Sequence, residues 1–209
     1  MRGGDEGRAG AGNRTSAASR PGDVARTDSG GDAGRRYRAG DVVEVTVTYL
    51  EMLEPPTAPV PPPPPGVEVR HVRAPSVEYY RHLYDMVGHT WYWADRLDVS
   101  DAALRELLED PRVEVHVLIV DGREAGYAEL DRAEPGEVRL MYFGLAPGFI
   151  GRGLGRWFLA WAVARAWSLG PKRVWVDTCT LDHPRALPGY EAAGFRRFGT
   201  MVKEVTIPW

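Results

Sequence analysis

The segment from Leu145 to Trp157 has the glycine spacing with the clearest chemical consequence. Glycines stand at positions 151, 153 and 155, with Arg152 and Arg156 beside them. Glycine leaves successive backbone N–H groups uncovered, and the first N–H groups of a following helix lack intrahelical partners. Those amides and the helix dipole attract an anion, and arginine adds charge-assisted hydrogen bonds to phosphate. The loop therefore predicts a phosphate-binding helix N-terminus.

Four interpretations of the loop compete, and its spacing leaves two of them open. A Walker loop needs Gly-x4-Gly-Lys-Ser/Thr, and the sequence contains no such string. A dinucleotide fingerprint would need glycine where Arg156 stands, and it belongs near the start of a parallel sheet. A pyrophosphate-binding turn for coenzyme A satisfies the spacing. A glycine-rich loop that serves only close helix–strand packing satisfies it as well.

A second motif lies downstream, between Asp182 and Phe195. Together, the two segments resemble the GNAT superfamily of acetyl-CoA-dependent N-acetyltransferases, within a bacterial subgroup of unknown substrate. Leu145-Ala146-Pro147 and Gly153-Leu154-Gly155 match its first signature, and Ala186, Tyr190 and Gly194-Phe195 match its second. Two positions depart from the family pattern, since Ile150 replaces an arginine or glutamine and His183 replaces an asparagine.

The resemblance implies acetyl-CoA as co-substrate and direct attack on its thioester by a primary amine. Pantetheine would lie between splayed strands, the Leu145 N–H would contact the thioester carbonyl, and Tyr190 would donate a proton to the leaving thiolate. The implied donor-binding positions are Phe143, Leu145, Ile150, Gly151, Arg152, Gly153, Leu154, Gly155 and Arg156. No metal is implied.

Three residues are candidates for the base that takes the amine proton. Glu129 lies on a predicted strand, and Asp177 lies near the end of another strand, close to the expected splay. His183 has an unperturbed pKa suited to the task. Cys179 is not expected to act as a nucleophile, because direct transfer needs no acyl-enzyme.

The acceptor pocket is expected to involve the first two helices and the segment between them. That segment combines aromatic walls with acids, which suits a cationic amine; its residues are Trp91, Tyr92, Trp93, Asp95 and Asp98. The alternative interpretation is that these tryptophans close the apolar core. Two rival functions remain, namely a non-catalytic acyl-CoA-binding module and a transferase that uses a longer acyl donor.

Hydrophobic periodicity predicts the elements that position these residues. The order of elements indicates an α/β (α+β) domain with a mixed, mostly antiparallel sheet. The resemblance implies a GNAT-like sheet with splayed central strands and helices on both faces. Strands are predicted at 41–52, 67–72, 113–120, 125–130, 138–143, 173–178 and 198–207, and helices at 77–87, 101–109, 154–169 and 185–193.

Composition sets the limits of the domain. Residues 1–38 are rich in Gly and Arg and poor in large apolar residues, which predicts a disordered extension. The acetyltransferase domain is predicted at 41–209, and the proline-rich stretch 55–65 within it is interpreted as a stiff linker.

Charge and cysteine content exclude several partners. Residues 41–209 hold 18 basic and 24 acidic side chains, a net charge of −6, which disfavours nucleic acid. The longest apolar run has eight residues, no secretory leader is evident, and one cysteine forms no internal disulfide or Cys-cluster metal site. We therefore expect a cytoplasmic enzyme without a membrane partner. The sequence also allows a homodimer.

Overall fold

The computed structural model describes residues 37–209. It contains seven strands and four α-helices in that range, and each predicted element is present with boundaries that differ by at most two residues. The strands are β1 (Val42–Met52), β2 (Val67–Val72), β3 (Val113–Val120), β4 (Arg123–Asp131), β5 (Glu137–Leu145), β6 (Arg173–Cys179) and β7 (Arg196–Thr206). The helices are α1 (Val77–Gly88), α2 (Asp101–Glu109), α3 (Leu154–Ser168) and α4 (Ala186–Ala192).

The extension predicted at 1–38 falls almost entirely on residues outside the described part of the chain, so it stays a prediction. Tyr37 and Arg38 are described. The Tyr37 backbone N–H donates to the Tyr92 hydroxyl at 3.2 Å, and the Arg38 N–H donates to a carboxylate oxygen of Asp41 at 2.8 Å. The contacts of the domain therefore begin at least four residues before position 41.

All seven strands form one sheet in the order β2-β3-β4-β5-β6-β1-β7. Every neighbouring pair is antiparallel except β5 and β6, which run parallel. The N-terminal strand β1 inserts between β6 and β7, so the first and last strands of the domain are hydrogen-bonded to each other. The predicted mixed, mostly antiparallel sheet is confirmed.

Helices cover both faces of the sheet, and each face has its own apolar core. On one face α3 and α4 pack through residues such as Phe158, Val163 and Tyr190. On the other face α1 and α2 pack through residues such as Tyr80 and Leu104. Inward side chains recur at helical spacing in α1, which is why this segment forms an amphipathic helix rather than a strand.

Polar caps fix where α1 and α2 begin. The Ser76 hydroxyl accepts a hydrogen bond from the Tyr79 N–H at 3.1 Å, and the Ser100 hydroxyl accepts one from the Ala103 N–H at 3.3 Å. Each serine thereby satisfies one of the free amides of the first helical turn. The N-terminus of α3 has no such side-chain cap, and this difference matters for the site.

The proline-rich stretch lies between β1 and β2 and contains no helix or strand. The Pro61 carbonyl accepts a hydrogen bond from the Trp157 indole at 2.9 Å, so the segment contacts the first turn of α3. Across residues 37–209, no helix is both long and apolar enough to cross a membrane.

Candidate functional site

The sheet opens between β5 and β6. These strands pair only where Glu137, Val138 and Arg139 face residues 173–175. Beyond that point β5 continues along β4 as far as Leu145, while β6 continues along β1 as far as Cys179. The two strands diverge and leave a wedge between edges that form no ladder with each other. We call this wedge the V gap, and it is the splay that the resemblance implied.

A β-bulge in β5 turns the side chains next to the V gap. Leu130 pairs with Leu140 and Glu129 pairs with Tyr142, so Met141 is one extra residue in β5. Before the bulge, Leu140 faces the α3 side. After it, Phe143 packs on the α3 side and Tyr142 on the α1 side. The bulge thus directs aromatic side chains to both faces of the sheet at the V gap.

The glycine loop forms the N-terminus of α3. Gly151 and Gly153 have φ of 85° and 79°, in the left-handed region that favours glycine, and Gly153 is the uncapped N-cap residue. A Cβ added at Gly151 or Gly153 would meet open space. The turn that leads into this 15-residue helix is therefore open to solvent, and the first amides of the helix have no side-chain cap.

The predicted donor-binding residues of the loop differ in the groups that they leave free to bind phosphate. Arg152 and Arg156 are exposed and form no ion pair within residues 37–209, so both are available to phosphate. The Ile150 N–H already donates to the Pro147 carbonyl at 3.3 Å, and the Leu154 side chain is buried in the core. Gly155 lies in ordinary contact with Leu145 and keeps α3 close to β5.

Tyr190 lies on α4 with only 6% of its surface exposed. Its ring contacts Phe143 of β5 and Phe195, with centroids 6.4 and 5.9 Å away. No group within residues 37–209 hydrogen-bonds its hydroxyl. Burial raises the pKa of Tyr190, with Asp182 and Asp177 adding to the shift, so the phenol keeps its proton at neutral pH.

The two predicted carboxylate bases are both paired with arginine. Glu129 is 1% exposed, and it accepts hydrogen bonds from the Tyr80 hydroxyl at 2.5 Å and from Arg96 at 2.9 Å. Asp177 pairs with Arg139 at 2.6 Å, at the closed end of the V gap. Burial raises the pKa of Glu129, while Arg96 opposes that shift.

His183 lies in the loop between β6 and α4. Its Nδ1 atom is 3.0 Å from the Arg185 N–H, which donates to it, and its ring stacks edge-on against Trp91 with centroids 5.1 Å apart. Burial lowers the pKa of His183, and the charge of Arg185 adds to the shift. The imidazole is therefore neutral at pH 7, with Nε2 as its remaining ring nitrogen.

Sequence reasoning missed a carboxylate at the open end of the V gap. Asp182 accepts hydrogen bonds from the Thr178 hydroxyl at 2.6 Å, the Cys179 N–H at 2.9 Å and the Trp93 indole at 3.2 Å. Trp93 was expected near the acceptor, but its partner follows it by 89 residues, so no local pattern could connect the two. The only sequence signal for Asp182 was its place at the head of the second motif.

The remaining residues of the predicted acceptor segment take different positions. Tyr92 is buried, whereas Asp95 and Asp98 are exposed. Burial and the nearby Asp182 raise the pKa of the Cys179 thiol to about 11, so a reactive thiolate does not form there at neutral pH.

One group of potential metal ligands occurs in the described part of the chain, far from the V gap. His71 of β2 faces His116 of β3, and Glu114 lies beside them with all ligand atoms within 4.8 Å. Arg165 already binds both oxygens of Glu114 at 2.9 Å. The guanidinium therefore already binds the two carboxylate oxygens that a metal would need as ligands.

This cluster makes folding stability depend on pH. Burial lowers the pKa of His116, so below about pH 6.5 the unfolded chain binds a proton more readily than the folded chain. We expect the thermal midpoint to fall between pH 7.5 and pH 5.5, by about 2–4 °C for each kcal/mol lost. The variant His116→Gln should show a shallower fall in the same melting experiment, and an unchanged slope would contradict this assignment.

The fold, with its V gap and the uncapped helix beside it, is the one that the resemblance implied. The family model described as the Acetyltransferase (GNAT) family matches residues 77–195, from α1 to the end of the second motif. The chain belongs to the GNAT acetyltransferase family.

Solved structures agree on the fold. The GCN5-related N-acetyltransferase from Sphaerobacter thermophilus has a TM-score of 0.55 and 17% identity, with 82% of this chain and 53% of that chain covered. The GCN5-related N-acetyltransferase from Kribbella flavida has a TM-score of 0.56 and 20% identity, with coverage of 80% and 60%. A tandem GNAT protein from the clavulanic acid biosynthesis pathway has a TM-score of 0.54 and 17% identity, with coverage of 79% and 55%. This chain thus spans between half and three-fifths of their lengths, and no curated protein matches it.

Proposed function

We propose that this chain is an N-acetyltransferase that moves the acetyl group of acetyl-CoA to a primary amine. One observation carries the proposal: the uncapped N-terminus of α3 lies directly after β5, at the open end of the V gap. A phosphate group and an extended thiol arm leading from it would fit that pair of features. The amides and free arginines would hold the pyrophosphate, and the exposed edges of β5 and β6 would accept the pantetheine amides.

The donor thioester would then reach the residues that end β5. Phe143 and Leu145 line the V gap there, and Phe143 contacts Tyr190. A backbone N–H from Leu145 would stabilise the oxyanion as the carbonyl becomes tetrahedral. Such donors contribute about 3–4 kcal/mol to transition-state stability. The reaction therefore has no need of a metal or an enzyme nucleophile.

Acetyl transfer by direct attack conserves every atom and proton. The neutral amine nitrogen attacks the thioester carbon, a C–N bond forms, and the C–S bond breaks as the tetrahedral intermediate collapses. The amine proton passes to a base or to water, and Tyr190 donates a proton to the departing thiolate. The phenol recovers its proton from solvent after product release. Burial of Tyr190 favours this role, because it keeps the donor protonated.

The general base is proposed to be water or His183. Glu129 and Asp177 are each held by an arginine, and Glu129 is fully enclosed, so neither is free to receive a proton from an entering amine. His183 is neutral and borders the V gap beside Trp91. We also propose that the enzyme acts in the cytoplasm, where acetyl-CoA is available, without nucleic acid or a membrane partner. That the enzyme forms a homodimer remains a proposal based on the sequence alone.

Binding and turnover distinguish this proposal from its rivals. We expect calorimetry to detect acetyl-CoA binding, and thiol release to rise when an amine panel is added. Binding of coenzyme A without turnover of any amine would favour the non-catalytic module. Stronger thermal protection by longer acyl-CoA thioesters than by acetyl-CoA would favour the longer donor. A complete lack of binding by any CoA species would contradict the proposal.

A further inference from the structure

Three carboxylates lie around the V gap, and they differ in their cationic partners. Glu129 is paired with Arg96, and Asp177 is paired with Arg139. Asp182 has no arginine, lysine or histidine within ion-pair distance anywhere in residues 37–209. The negative charge of Asp182 is therefore the one at this site that stays uncompensated.

Three hydrogen bonds orient the Asp182 carboxylate. Thr178 and the Cys179 N–H both donate to Oδ2, at 2.6 and 2.9 Å, and the Trp93 indole donates to Oδ1 at 3.2 Å. All three donors are neutral, so they orient the carboxylate without cancelling its charge. The side chain is half-exposed, and Oδ1 retains a lone pair for another donor.

Asp182 also lies where an acceptor would enter. It follows the last residues of β6, whereas Trp93 packs against Tyr142 of β5 with ring centroids 5.2 Å apart. The hydrogen bond between Trp93 and Asp182 therefore joins the two sides of the open end of the V gap. Asp182 is close enough to Tyr190 for its charge to contribute to the raised pKa of that phenol.

The aromatic rings beside Asp182 complete a surface suited to an organic cation. The Trp93 indole donates directly to the Asp182 carboxylate. Trp91 packs edge-on against His183, which follows Asp182 in the chain. The carboxylate attracts an ammonium group by charge, and an indole ring next to it adds cation–π attraction.

We infer that Asp182, Trp93 and Trp91 form the subsite that binds the acceptor as a primary ammonium ion, which gives one proton to His183 or water before its neutral nitrogen attacks the thioester. This inference rests on the proposed acetyl transfer to an amine, and it names the chemical class of acceptor and the residue that selects it. It also assigns acceptor binding to a residue after β6, whereas the sequence pointed to Asp95 and Asp98.

The test compares n-hexylammonium with its neutral analogue 1-hexanol by ligand-observed NMR titration, with and without coenzyme A. We expect the wild type to bind n-hexylammonium at least 10-fold more tightly, because a charged hydrogen bond contributes about 10- to 100-fold in affinity. Asp182→Asn should bind the two probes equally, whereas Asp182→Glu should retain the preference. Glu204→Gln removes one charge from exposed β7 and should behave like the wild type.

The probe affinities of the wild type and of Asp182→Asn decide the inference. A preference for n-hexylammonium that survives in Asp182→Asn overturns it, and so does equal binding of both probes by the wild type. If Asp182→Asn fails to fold, protein-observed NMR of the wild type serves instead. The resonance of the Trp93 indole N–H, which donates to Asp182, should shift more with n-hexylammonium than with 1-hexanol, and an absent or equal shift opposes the inference. Calorimetry with coenzyme A alone tests the donor site, so failure there is distinguished from failure of the ammonium subsite.

Discussion

Replacing Tyr190 with phenylalanine lowers kcat by about 10³-fold and leaves the affinity for acetyl-CoA within about twofold of wild type. A positioned general acid contributes about 10²–10⁴-fold to rate. Tyr190 is buried, its ring contacts Phe143 of β5, and no group within residues 37–209 hydrogen-bonds its hydroxyl. Phenylalanine keeps the ring contacts with Phe143 and Phe195. Single-turnover thiol release and calorimetry with coenzyme A measure the two quantities separately.

Tyr127→Phe is the matched control for this prediction. Tyr127 is also fully buried, and its hydroxyl also lacks a hydrogen-bond partner in the described chain, but it packs in the α1 and α2 core. Removing that hydroxyl should leave kcat within a few-fold of wild type. Because the pKa of Tyr190 is raised, kcat of the wild type should show no alkaline loss from this group below pH 10. Equal kcat values for Tyr190→Phe and wild type would exclude the acid role.

Gly153→Val is expected to weaken acetyl-CoA binding by about 10³-fold. Gly153 has φ of 79° and open space around its missing Cβ. Valine would therefore strain the backbone, and its side chain would fill the open space at the start of α3. Each lost hydrogen bond to a charged phosphate costs about 1.5–3 kcal/mol, and at least two amides are affected. Calorimetric titration with acetyl-CoA gives the dissociation constant directly.

Gly170→Val separates the strain from the lost contacts. Gly170 follows the C-terminal end of α3, with φ of 75° and nothing near its missing Cβ. Both variants should therefore lose similar folding stability, about 1–2 kcal/mol from the left-handed conformation. Only Gly153→Val should lose affinity for acetyl-CoA. Similar acetyl-CoA affinities in the two variants would mean that the pyrophosphate does not rest on this turn.

The choice of acidic residue illustrates how sequence and structure contribute differently. Glu129 and Asp177 are candidates from the sequence because each lies on a predicted strand, and Asp177 lies near the strand end that is close to the expected splay. Alternation says nothing about what lies opposite, and the opposing groups are Arg96 from a loop and Arg139 from another strand. The uncompensated carboxylate, Asp182, depends on contacts between segments that lie far apart in the chain.

The bulge in β5 shows a similar limit. The pattern of residues 138–143 predicted a plain strand, but Met141 is an extra residue relative to β4. A bulge depends on the register of the partner strand, which local periodicity does not specify. The sequence therefore predicted that β5 exists, and only the pairing showed which side chains face each core.

The insertion of β1 beside β6 was likewise decided by tertiary structure. Alternation of valine and polar residues predicted a strand at 41–52, but a strand pattern is silent on its neighbours. By contrast, the sequence alone determined the element order and the glycine turn that opens α3, because helix periodicity and positive-φ glycine are local properties. The V gap, the pairing of Glu129 and Asp177, and the exposed charge of Asp182 arise from distant segments meeting in space, and long-range packing alone fixes them.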